Sequence, residues 1–495
     1  MIRKSEKANP PLKFEPVKSA FIFILCVSAL RLVFLPLLGL MPQDAYYWQY
    51  SKHLSLGYFD HPPVHAWTAW LTTSVFGDNA FGIRFGPWLY GVGLLFLIFA
   101  LARRLFDNNV AFWTVVAAGV TPLFNIGGSI LTPDPPLLFF WTLTIFLGYI
   151  AYREDRGWLW ILAGFSGGLA MLSKYTAVFL VPGFLIFLLL TERGRKILKT
   201  PFPYLGILAA IIAFLPQIIW NAQNHWASFA FQSTRRAGEI TKWRLDLFGG
   251  MLGSQIAIVS PLIFFGLIWA SFRALYKGIF GTKDNRQLYL ALFTLPIILF
   301  FGFVALRYWV KLNWFAPAYV TGAIAFISAF ANEKRIKPFL KWAIAFAAVE
   351  TILLYAAVLI PAVPLTGEAA YWAGWKELAN RVQSERALMP PNTFVAGWGY
   401  KVPSELRFYL PDKPETHSNE ILGFNGLNYT YWTETDSLKG MNCIFVADSR
   451  EPFREPELLK KHFRKVEETP ELKPIRGVKE VTTYRIWRCF GYIGP

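Results

Sequence analysis

Charge is what this chain has least of. Only 16% of its 495 residues are Asp, Glu, Lys or Arg, against about 25% in an ordinary soluble domain, while 54% are hydrophobic and 17% aromatic. That balance excludes a free-standing soluble enzyme and implies a polytopic membrane protein. Cysteine is scarce as well. Cys26, Cys443 and Cys489 lie far apart, which excludes a disulfide scaffold and any CxxC or Cys/His metal motif, and leaves room for one bridge between Cys443 and Cys489. There is no Walker A segment, no GxGxxG, no GxSxG and no HExxH, so ATP-driven transport and serine or zinc hydrolysis lose support. No inverted repeat of the secondary-transporter kind is visible.

What is present is a series of apolar segments. Runs at 18–40, 82–101, 110–127, 134–152, 158–172, 175–190, 203–220, 250–272, 288–306, 314–331 and 340–362 suit a bilayer core of about 30 Å. The first lacks a cleavage site, so no cleavable signal peptide is expected. Alternate connections divide by charge: one set, beginning with the N-terminus, carries 21 Lys and Arg and the other carries 8. The basic set is therefore cytoplasmic. An odd number of spans then puts the C-terminus outside, beside the loop 41–81. Beyond residue 363 the balance changes to 18 basic against 17 acidic residues, so the net charge of +17 is topological and no basic face for nucleic acid remains.

The expected fold is mainly α: a polytopic membrane domain over 1–363 with about eleven transmembrane helices and external loops at 41–81 and 221–249, followed by a small external α/β domain over 364–495. Within that domain Thr393 to Trp398, Cys443 to Ala447 and Val481 to Trp487 read as strands, and Tyr371 to Arg386 and Glu455 to Phe463 as helices. Val64 to Phe76 reads as an amphipathic helix in the membrane interface, started by Pro62-Pro63. The outer loop at 221–249 carries Arg235-Arg236.

Chemistry concentrates in Met41 to Pro63, MPQDAYYWQYSKHLSLGYFDHPP. Ionisable groups beside hydrocarbon are expensive to keep and point to function. Asp44, followed by Tyr46, Tyr47 and Trp48, is placed to accept a proton from an acceptor hydroxyl, and suits a helix N-cap equally well. Asp60 and His61 suit sugar contacts or a turn; with His53 and His65 they leave room for a divalent metal, although the spacing matches no zinc motif. Asp134 in LTPDPP opens a span. Lys174 interrupts about 30 largely apolar residues, and an ammonium there needs an anion, a lipid phosphate being the natural one. Arg307 and Lys311, in RYWVKLNW, fall on the same face and are placed to share it. Arg31 and Glu350 lie inside spans and either pair or face a cavity.

These motifs in their order (Asp44-Ala45-Tyr46-Tyr47-Trp48, GYFDHPP at 57–63, RFGPWL at 84–89, TPDPP at 132–136, MLSKYT, and RYWVKLNWFAPAY at 307–319) resemble the GT-C polyprenyl-phosphate-dependent glycosyltransferases. The likeness spans about residues 18–320. It is most similar to the bacterial branch of the protein O-mannosyltransferase superfamily that holds the aminoarabinose and galacturonic acid transferases of lipid A. The resemblance implies a catalytic Asp at Asp44, a phosphate-binding Lys at Lys174, Asp134 shaping the donor pocket, and an undecaprenyl-phosphate sugar as donor. The acceptor it implies is lipid A or another glycolipid ahead of protein, at the outer face of the bacterial inner membrane. Ala45 stands where many relatives carry a second acidic residue. The rival expectation is a flippase for the same lipid, using the cationic pocket without transfer.

Overall fold

Apolar runs bounded by Pro, Asn and Asp become helices in the computed structural model, which describes residues 15–235, 242–330, 337–451, 453 and 455–495. The N-terminal basic residues Arg3 to Lys13, Arg236 of the second outer loop, and Lys334 and Arg335 fall outside these. Helix α1 (Pro16–Phe34) has proline in its first turn and is followed by α2 (Pro42–Tyr50) and α3 (Val64–Phe76). Next comes α4 (Ala80–Leu105), where the Asn79 side chain caps the helix by accepting from the Gly82 N–H; such a cap satisfies a backbone donor that has no helical partner. Helix α5 (Asn108–Val120) stops at an extended Thr121, after which α6 (Pro122–Asn125) turns back through residues 127–129. Helices α7 (Asp134–Glu154) and α8 (Leu159–Ser173) follow.

Every expected apolar segment is helical, but not every one is a span. Among the described residues eight helices are long and apolar enough to cross a membrane, or nine if the pair Asn108–Val120 and Pro122–Ser129, bent by 78°, counts as one. The expected count of about eleven is therefore not confirmed. Some runs are helices too short to cross by themselves, and others contain a break that hydropathy reads through. Leu159–Ser173 and Tyr175–Leu190 are short and separated by an extended Lys174. The run expected at 250–272 is two helices, Leu245–Val259 and Pro261–Ile279, parted at Ser260, whose φ is 76°.

Helix α3 occupies the expected residues. It buries His65, Ala66 and Ala69 against the protein and turns Trp70, Leu71 and Val75 outward.

The C-terminal part carries a five-stranded sheet in the order β2-β1-β3-β7-β4. Its strands are β1 (Thr393–Gly397), β2 (Thr416–His417), β3 (Asn442–Asp448), β4 (Phe463–Glu468) and β7 (Tyr484–Tyr492). A separate two-residue pair, β5 (Ile475–Arg476) and β6 (Lys479–Glu480), lies between the last two. β1 runs parallel to β2 and β3, whereas β7 is antiparallel to β3 and β4. Strands β1 and β3 are buried along their whole length, as a central parallel pair requires. Cys443 and Cys489 face each other across β3 and β7 as buried thiols.

This sheet domain docks on the same end of the molecule as loop 41–81. The Leu40 N–H donates to the Tyr409 hydroxyl at 3.1 Å, and Gln49 Nε2 donates to the Tyr429 hydroxyl at 2.7 Å. Arg476 closes the hinge with the membrane part by donating to the carbonyls of Ala357, Val358, Ile360 and Val363 at 2.5–3.2 Å.

Candidate functional site

Helix α2 begins the site. Pro42 occupies its first turn and Met41, not Asp44, is the N-cap; Asp44 sits at the third helical position and reaches back to the Met41 N–H at 3.1 Å. The N-cap role read from the sequence is thus corrected by three residues. Asp44 is fully buried and its wall is not aromatic. Oδ2 accepts from Arg84 Nη2 at 2.6 Å and Nε at 3.1 Å, and Oδ1 accepts from the Leu131 N–H at 2.7 Å. Arg84 spends its remaining N–H groups on the carbonyls of Leu35, Leu38 and Gly39 at 2.6–3.1 Å, and its guanidinium lies 5.3 Å from the centre of the Trp372 ring. One ion pair therefore ties the end of α1, α2, α4 and the 129–133 turn together. Arg84 was visible only as the first letter of RFGPWL.

The aromatics after Asp44 serve Asp60 instead. The Tyr46 hydroxyl donates to Asp60 Oδ2 at 3.3 Å, while the Tyr50 hydroxyl and Asn428 Nδ2 both donate to Oδ1. Burial pushes the Asp60 carboxyl pKa up, opposed by the Tyr50 bond and by the charge of Lys311. Burial, and next to it the Asp60 charge, push the phenols of Tyr46, Tyr47 and Tyr50 up, so these act as neutral donors. Asn428 comes from the C-terminal domain and also accepts the Phe59 N–H at 3.1 Å. It lies in an Asn-Tyr-Thr triplet but is 1% exposed, so the triplet is packing, not a glycan site.

Lys174 has an anion, and it is internal. Nζ donates to Asp134 Oδ1 at 2.7 Å, and Asn313 Nδ2 donates to Oδ2 at 2.5 Å, with Lys174 and Asp134 both buried. Asp134 is the first residue of α7 with Pro133 as N-cap, so it opens the helix, as read, without capping it. Tyr47 lies within the electrostatic reach of both carboxylates, since the charges of Asp60 and Asp134 both push its phenol pKa up, after burial. Lys311 is close enough for Asp60 to feel it, whereas Arg307 lies over the Trp243 ring at 4.5 Å.

The histidines do not converge. His53 stacks on Trp432 at 4.6 Å and reaches Glu415 at 3.3 Å and Arg407 at 3.1 Å, on the side of the sheet domain. His65 is buried against Tyr47 and Tyr50 with its pKa pushed down to about 3 by burial, and His61 lies edge-on to Tyr47 at 5.7 Å. Among the described residues no three His, Cys, Asp or Glu side chains are grouped to hold a metal ion. Arg31 and Glu350 form no ion pair with each other; Arg31 faces a cavity.

Two further residues of the site gave no signal in the sequence. Asn313 was one letter of RYWVKLNW. Glu405, on the helix Lys401–Tyr409 of the sheet domain, is buried with neither carboxylate oxygen hydrogen-bonded, and burial followed by the nearby Asp44 charge pushes its pKa well up.

Residues 60–220 match the family described as dolichyl-phosphate-mannose-protein mannosyltransferase. That interval contains Asp60, Asp134 and Lys174 but not Asp44. The lipid A galacturonosyltransferase RgtD of Rhizobium johnstonii is 30% identical over 289 residues, which is 57% of this chain and 58% of that protein. The undecaprenyl phosphate-alpha-4-amino-4-deoxy-L-arabinose arabinosyl transferase of Pseudomonas aeruginosa is 28% identical over 39% of this chain and 37% of its own. The matches thus span under two thirds of either relative. In structure, ArnT from Cupriavidus metallidurans bound to undecaprenyl phosphate superposes with a TM-score of 0.63 at 14% identity, covering 96% of this chain and 99% of that one. The Archaeoglobus fulgidus oligosaccharyltransferase does so with a TM-score of 0.53 at 12% identity, over 88% and 70%.

Proposed function

This multi-pass membrane chain has the fold of the GT-C glycosyltransferases, and from that premise we propose that it transfers a sugar from an undecaprenyl-phosphate donor to lipid A or another envelope glycolipid. The reaction takes place on the periplasmic face of a bacterial inner membrane, where loop 41–81 and the sheet domain lie together. The observation that carries the proposal is the buried Lys174–Asp134 pair. An ammonium at the outer end of an apolar helix is held by a carboxylate that also accepts an amide N–H, and a donor phosphate can take over that pairing. Bonds from an ammonium to carboxylate and to phosphate are both charge-assisted, and with three N–H donors Lys174 can bond the phosphate while Asn313 continues to donate to Asp134.

The chemistry is one inverting displacement. The acceptor oxygen bonds to the anomeric carbon as the bond from that carbon to the phosphate oxygen breaks. The leaving phosphate keeps the electron pair and is stabilised by Lys174, with Arg307 and Lys311 on the same loop side. The acceptor proton passes to a carboxylate of loop 41–81. The resemblance assigns this base to Asp44, which retains one unshared position on Oδ1. A second reading, Asp60, is favoured by its raised proton affinity and its place beside Tyr47 and Lys311.

The test is transfer by purified protein from radiolabelled undecaprenyl-phosphate sugars to lipid A, comparing wild type with Asp44→Asn and Asp60→Asn. Label reaching lipid A with the wild type and not with Asp44→Asn supports the first base; loss confined to Asp60→Asn supports the second. Donor binding without transfer by any version would sink the transferase reading and move the question to lipid flipping in liposomes.

A further inference from the structure

Behind the Asp44–Arg84 pair lies a small cavity between α1, the 126–130 segment, Tyr355 and Trp372 of the sheet domain. Two arginines, Arg31 and Arg84, and no carboxylate are among the residues that line it. Arg84 is neutralised by Asp44, and each of its five N–H groups has an oxygen partner. Arg31 is not neutralised. It is 2% exposed, and its Nε and Nη2 both donate to one neutral oxygen, Ser129 Oγ, at 3.2 Å. Among the described residues it forms no ion pair. Glycines make the space for it: a Cβ on Gly91 or on Gly128 would fall 2.7 or 2.9 Å from Nη2.

A guanidinium does not shed its proton inside a protein. A buried charge without a partner is heavily penalised, so the position requires an anion. Size decides which. The cavity is about 10 Å³, room for roughly one water-sized group, and its remaining walls are Phe34, Leu35, Leu38 and Ile130. A phosphate, a sulfate or a lipid headgroup is far larger than that; of the anions, a monatomic one comes nearest to that size. A water fits as well, but leaves the charge uncompensated.

We propose that this cavity is a halide site in which Arg31 holds one chloride-sized anion. The anion joins α1 to the 126–130 segment, immediately before Leu131, whose N–H holds Asp44. It stands behind the ion pair as a structural counter-ion and is independent of the transfer chemistry.

The test uses the full-length protein in detergent, melted in sodium chloride, sodium bromide or sodium gluconate at one ionic strength of about 0.15 M, together with crystals grown in bromide. The expected result is a melting temperature higher by about 2 °C or more in either halide than in gluconate, and an anomalous bromide peak in the cavity beside Arg31. Arg31→Met, which removes the charge, should melt at the same temperature in all three salts. Equal melting of the wild type in the three salts, an undiminished halide response in Arg31→Met, or a bromide map with no peak there would each overturn the proposal. If Arg31→Met does not fold, the bromide map of the wild type decides alone. No turnover is read, so failure leaves the transferase reading untouched.

Discussion

Loss of activity in Asp44→Asn has two sources that must be separated, because Asp44 is both the assigned base and half of a buried ion pair. The pair is closed at 2.6 Å with Asp44 0% and Arg84 1% exposed. Removing one member of such a pair leaves the other charge buried and alone, which costs about 3–5 kcal/mol. At the conversion for larger domains, about 2 °C per kcal/mol, Asp44→Asn should lower the melting temperature by about 6–10 °C. Arg84→Met should lower it further, since it also frees the carbonyls of Leu35, Leu38 and Gly39. The double variant buries no unpaired charge. It should therefore melt above the sum of the single losses by a coupling of about 2–3 kcal/mol. The assay is thermal unfolding of the four proteins in one detergent, with transfer measured below all four transitions. Losses that add within about 0.5 kcal/mol would refute the structural role given to the pair. A folded Asp44→Asn without transfer, measured in its stable range, would isolate the catalytic part.

Three other outcomes follow from the structure. Lys174→Met should weaken donor binding at least about tenfold through loss of a charge-assisted phosphate contact, read by equilibrium binding of labelled undecaprenyl phosphate, and adding Asp134→Asn should restore stability but not binding. Asn428→Leu should cut transfer about tenfold or more by withdrawing an amide from Asp60, while Gln49 and Tyr429 keep the sheet domain docked; an unchanged kcat would remove that domain from the site. Glu420 is buried, and burial lifts its pKa from 4.5 to about 7. Since its folded pKa lies above the unfolded one, its contribution of about 3 kcal/mol is full below pH 4.5 and lost as pH rises through 7. Burial pushes His417, on the same side of the sheet, down to about 4, which opposes this in acid, so the check is the melting temperature of wild type minus that of Glu420→Gln, which should fall between pH 5 and pH 8.

Much of this protein follows from local rules acting on local sequence. Scarce charge and repeated apolar runs made it a helical membrane protein, and Pro62-Pro63 placed the start of α3. The strands β1 and β3 were readable from their apolar runs. Lys174 could be singled out because an ammonium within an apolar stretch demands an anion wherever the chain folds.

The identity of each partner was decided elsewhere. Hydropathy measures composition over a window, so it passed over the breaks at Thr121 and Ser260 and read each interrupted stretch as one run. Asp44 looked like a free carboxylate because its neighbours are aromatic, yet a helix turns those neighbours to other faces, and its counter-charge arrives from Arg84, 40 positions away. Asn428 reaches Asp60 across 368 positions and Asp134 takes Lys174 across 40. Sequence determined which residues are too polar for where they lie. Only the packing of α1, α2, α4, α7 and the sheet domain decided which charge meets which, because burial makes an unpaired group intolerable without saying which distant side chain will satisfy it.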